Sequence, residues 1–142
     1  MTAVQDYIDV YYSALGNGMK SMESGNHEQA QIYFTRARLS LSYAIEQLDV
    51  GCKAEIYSNE YCQGMKADIL QCKMDAVTFY ENAGKLLELS NPEINCKPTM
   101  EFFESANAKC TILREQYPGL LDEWKNITPP EKIRTMCNLT DS

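Results

Sequence analysis

Histidine is almost missing from this chain, with His27 the single one in 142 residues. Ser-His or Cys-His catalysis would therefore have to use His27 itself as the base. Histidine-rich zinc sites and the Glu-x-x-His motifs of di-iron proteins are ruled out. Paired short cysteine spacings are also lacking: Cys52, Cys62, Cys72, Cys96, Cys110 and Cys137 cannot form a four-cysteine zinc site. There is no phosphate-binding loop, since Gly16-Asn17-Gly18 has neither a preceding strand nor a following Lys-Ser. No segment alternates apolar and polar residues as a half-buried strand does, and no apolar run reaches bilayer-spanning length. Basic residues are in the minority, 13 against 20 acidic ones, for a net charge of -7. The excess is spread along the chain, so its surface repels phosphate backbones and anionic lipid headgroups. Nucleic acid and membrane are not expected partners. The carboxylates are scattered at helix-surface spacings, so no catalytic residue, metal or cofactor is expected.

The start of the chain lacks a basic region, and Asp6 and Asp9 interrupt its apolar residues, unlike a secretory signal. The expected location is cytoplasmic, with secretion by other routes left open. Asn126-Ile-Thr and Asn138-Leu-Thr have the form of glycosylation sequons and are read as chance ones.

What is present is helical periodicity throughout, in a chain that is 44% hydrophobic. Val4, Tyr7, Tyr11, Ala14, Gly18 and Met22 mark a first helix over about 2–23. Asn26 as N-cap and Gln29 three residues on open a second, whose inward face is Ala30, Phe34, Ala37, Leu41, Ala44 and Leu48. Gly51 is expected to stop it. Cys62, Met65, Ile69, Cys72, Ala76, Phe79, Ala83 and Leu86 predict one long central helix over 59–89. Residues 90–98 read as a loop. Further helices over 98–137 follow, with Pro118-Gly119 as a break, a short helix at 120–124 and a Thr128 cap with Glu131. The expectation is a single all-α domain, 1–142: a compact bundle of four main helices plus one or two short C-terminal ones.

The stretch Gly25-Asn26, Ala30, Phe34, Ala37, together with Gly18, resembles the turn and second helix of a tetratricopeptide repeat. It is also similar to the hairpin of microtubule-interacting-and-trafficking domains, with Tyr33 at the tyrosine position. The likeness covers about residues 4–48. It departs from the repeat at Ala14, Ser21 and Ser42, where tryptophan, tyrosine and proline are usual, and no second copy follows. The resemblance implies a non-enzymatic protein-protein interaction module, an adaptor, chaperone-like subunit or effector, that holds a peptide or helix of a partner. It also implies the first-helix positions Tyr12, Leu15, Met19 and Met22 as the partner-binding surface. Met and Tyr suit adaptable contacts.

Two alternatives accompany this reading. One is a self-associating structural bundle, a homodimer driven by the long third helix. The other is a secreted, disulfide-stapled helical protein. Cys62 and Cys72, ten residues apart on one helix, are about 15 Å apart and cannot bond to each other, whereas Cys72 with Cys110 is feasible. Because three cysteines fall on predicted core faces, the reading favours reduced thiols. Cys52 and Cys137 are then the candidate reactive thiols.

Overall fold

The computed structural model describes residues 3–87, 93–125 and 128–137, with 93–95 described by backbone alone. Helix α1 (Ala3–Glu23) buries Val4, Ile8, Tyr11, Ala14, Leu15 and Gly18. That face is rotated slightly from the expected one, because Ile8 and Leu15 replace Tyr7 and Met22 as buried members. Gly25 turns the chain at φ 82°, in the left-handed region where glycine carries no Cβ penalty. Helix α2 (His27–Lys53) then starts under the expected cap: Asn26 Oδ1 accepts the Gln29 N–H at 3.1 Å. Ala30, Phe34, Ala37, Leu41, Ala44 and Leu48 are all buried against α1 and α4, as the spacing predicts.

Gly51 does not stop α2, which runs on to Lys53. Its missing Cβ instead makes room for the Tyr57 ring, which lies where that atom would be. The long central helix is also two helices, α3 (Asn59–Met65) and α4 (Ala67–Leu87), separated by Lys66 at φ 48°. Helix α5 (Glu93–Gln116) begins earlier than the Lys-Pro step suggested and carries Pro98 within it. A 3-10 turn, Asp122–Trp124, and α6 (Glu131–Met136) complete the described elements. Thr128 does not cap α6; Pro130 occupies the N-cap position without a side-chain bond, and the Thr128 carbonyl accepts the Tyr80 hydroxyl at 2.8 Å. Positions 88, 89, 126 and 138 lie outside the described residues.

Every described element is helical. Helix α2 packs on α1 and α4, α4 on α5, and α6 reaches α4. Three disulfides join the elements: Cys52–Cys62 links the end of α2 to α3, Cys72–Cys110 links α4 to α5, and Cys96–Cys137 links α5 to the end of α6. The expected reduced thiols are therefore corrected: Cys52 and Cys137 are bonded, and Cys62 and Cys72 are half-cystines. The feasible Cys72–Cys110 pair is formed, with Cα atoms 5.5 Å apart. Burial on a helix seam did not imply a free thiol, because neighbouring seams put two cysteines within bonding reach.

Candidate partner-binding site

The first-helix strip does not form one surface. Leu15 is buried in the core, 7% exposed, and is not available to a partner as the sequence reading expected. Tyr12 is half in solvent, yet its hydroxyl accepts a hydrogen bond from Lys73 Nζ at 2.6 Å. Met19 and Met22 are half-buried and border a cavity of about 430 Å³ between the end of α1 and the C-terminal segment.

The cavity has apolar walls from Met19, Met22, Tyr80, Leu87 and Pro130, and a polar rim from Glu23, His27, Glu131 and Lys132. Tyr80 is fixed from both sides: its ring stacks on Trp124 with centroids 5.5 Å apart, and its hydroxyl bonds Thr128. Burial raises the Tyr80 phenol pKa, and the bond to the Thr128 carbonyl acts against that rise. His27 Nδ1 is buried and has no hydrogen-bond partner among the described residues. A rigid aromatic wall beside two flexible thioethers suits an apolar side chain of variable shape.

Next to this wall lies a buried polar cluster that the sequence reading missed. Lys73 is 6% exposed on an otherwise apolar face of α4 that includes Leu70, Val77 and Tyr80. Its ammonium is 3.0 Å from Glu123 Oε2. The Tyr11 hydroxyl donates to the same carboxylate oxygen at 2.8 Å and accepts from Trp124 Nε1 at 2.7 Å. Burial first, and the neighbouring carboxylate second, hold the Tyr11 phenol far above its ordinary pKa. Every charged group in the cluster is paired, so it acts as a clamp that ties the 3-10 turn to α1 and α4. A second clamp joins α2 to α4: Glu81, 3% exposed, accepts from Arg38 Nε at 3.0 Å and from the Thr35 hydroxyl. A charge inside a 3-4 apolar stripe was the signal available for both Lys73 and Glu81.

A second cavity of about 450 Å³ lies beside the Cys52–Cys62 bond, with Ile45, Glu46, Leu48 and Asp49 in its wall. Among the described residues no group of three or more His, Cys, Asp or Glu side chains is placed to hold a metal, and no helix is long and apolar enough to cross a membrane. No protein-family model matches the chain, and no curated protein or solved structure is significantly similar to it.

Proposed function

We propose that the protein is a non-enzymatic binding module: a disulfide-stapled helical bundle that receives an apolar side chain of a partner peptide or helix in the Met19–Met22 cavity. The observation that carries this reading is the composition of that cavity, whose apolar walls and charged rim enclose about 430 Å³. That volume lies within the range of ordinary ligand clefts, about 300–1,000 Å³. The repeat-like hairpin fits the same role, since Gly18 and Phe34 bring α1 and α2 close and leave the end of α1 free to border a site. Three disulfides favour work in an oxidising compartment over the cytoplasm, where thiols are kept reduced.

The test is to pan a random peptide library over the oxidised protein, using Met19→Asp/Met22→Asp as counter-selection. Peptides with a bulky apolar residue should be retained by the wild type and lost by the variant, with both proteins melting alike. Retention of the same sequences by both proteins, or of none by the wild type, would remove the cavity from consideration.

A further inference from the structure

Ile32, Leu39, Tyr43 and Val50 are large apolar residues of α2 left in solvent, with exposures of 50, 41, 50 and 54%. At 100° per residue the four fall within about 40° of one another, along about 27 Å of helix. They lie opposite the buried line Ala30, Phe34, Leu41 and Leu48. Single exposed apolar residues are ordinary on a protein surface; an aligned row of this length is not. With Arg36 and Glu46, both exposed, the row becomes 32, 36, 39, 43, 46 and 50, in steps of four and three. That is the spacing of a coiled-coil seam, here on a face turned away from the buried line and touched, among the rings of the described residues, at Tyr43 by Tyr7.

The chemistry of the seam is symmetric about Leu41. Ile32 and Val50 lie nine residues to either side of it, Arg36 and Glu46 five, and Leu39 and Tyr43 two. In an antiparallel helix pair each layer joins one residue to its counterpart read in the opposite direction. A two-fold axis at Leu41 would set Ile32 on Val50 of the partner subunit, Arg36 on Glu46 of the partner subunit and Leu39 on Tyr43 of the partner subunit. Each layer recurs once by symmetry, which is the requirement of an isologous interface. Apolar residues then meet apolar ones, and each charge meets its opposite. Parallel pairing would set Arg36 on its own copy and Glu46 on its own copy. Tyr7 of α1, whose ring lies 5.5 Å from Tyr43, widens the apolar area to one side.

We propose that the outer face of α2 is a homodimer interface, formed by antiparallel pairing with α2 of a second copy of this chain. A heterologous helix has no need of a surface complementary to itself; a second copy does. The surface shares no residue with the Met19–Met22 cavity, so the two proposals stand or fall separately.

Sedimentation equilibrium of the full, oxidised chain from micromolar to millimolar concentration tests it, together with charge exchange at the two polar layers. The wild type should dimerise. Arg36→Glu and Glu46→Arg should each weaken the dimer by about tenfold or more, since each sets like charges together in two layers. The double variant Arg36→Glu/Glu46→Arg restores opposite charges in both layers and should recover the wild-type constant. Both positions are exposed, and circular dichroism melts verify that the variants fold. A wild type that stays monomeric overturns the proposal. So does a dimer indifferent to the single reversals, or one that the double variant does not rescue.

Discussion

Tyr11 has no exposed surface, and its hydroxyl is shared between Glu123 and Trp124. Ionising it would place a second negative charge beside a carboxylate in a region with little water, which is why its pKa lies far above the ordinary 10.0. Tyr80 is shifted in the same direction, by burial. In the unfolded chain both phenols ionise near pH 10. A group whose folded pKa is raised contributes stability that is fully present below its unfolded pKa and lost as pH climbs beyond it. Stability should therefore be level near neutrality and fall from about pH 10 upward, by about 1.4 kcal/mol per pH unit for each phenol that stays protonated when folded. Urea unfolding at a series of pH values between 8 and about 12 checks this. Tyr11→Phe should flatten the alkaline slope while lowering the plateau, because Trp124 Nε1 loses its acceptor. A wild-type plateau that continues unbroken past pH 11 would contradict the buried, carboxylate-facing phenol.

Two glycines of α1, two residues apart, respond to opposite forces. A Cβ on Gly18 would lie 2.6 Å from Cε1 of Phe34, a ring with no exposed surface and no room to retreat. A Cβ on Gly16 meets nothing within 4 Å. Gly18→Ala gains helix propensity of up to about 1 kcal/mol and loses about 1–3 kcal/mol to overpacking, so it should destabilise. Gly16→Ala keeps the gain and should stabilise by about 0.5–1 kcal/mol. Thermal melts of the two variants should move in opposite directions; movement in the same direction would mean that α1 and α2 are not in close contact at Phe34. This hairpin was legible in the sequence, because its burial follows one period and its turn carries Gly25 and Asn26. The break at Lys66 was not, since a non-glycine residue at φ 48° leaves no mark in the apolar spacing, which continues from Met65 to Ile69. The state of the cysteines was hidden for a different reason. A half-cystine and a buried thiol occupy the same seam positions, and pairing is decided by which helices meet. The partner strip failed at Leu15 because a small rotation of the α1 face exchanged an outer position for a core one.

For the whole molecule, the disulfides close loops of very different lengths, with separations of 10, 38 and 41 residues. By loop-closure entropy the first contributes about 2.7 kcal/mol and each of the others about 3.9 kcal/mol, less where the two longer loops overlap. Contributions of this size are comparable to the entire net stability of an ordinary domain, about 5–15 kcal/mol. Their accessibility differs as well: Cys72 and Cys110 are 2% and 0% exposed, whereas the other four cysteines are half-buried. A thiolate can attack only a sulfur that it can reach. Under native conditions a mild dithiol should therefore open Cys52–Cys62 and Cys96–Cys137 first, leaving Cys72–Cys110 closed until the molecule unfolds. Alkylation and mass spectrometry at successive times would give that order. Cys72→Ala/Cys110→Ala should lower Tm by about 10–15 °C, the shift expected for a loss near 4 kcal/mol in a chain of this size, and Cys52→Ala/Cys62→Ala should lower it less. The oxidised protein should show no reactive thiol before denaturation and none after it until reductant is added. Six titratable thiols in protein purified without reductant would remove the disulfide framework, and with it the argument for an oxidising compartment. Early opening of Cys72–Cys110 would instead show that the α4–α5 contact breathes more readily than its burial implies.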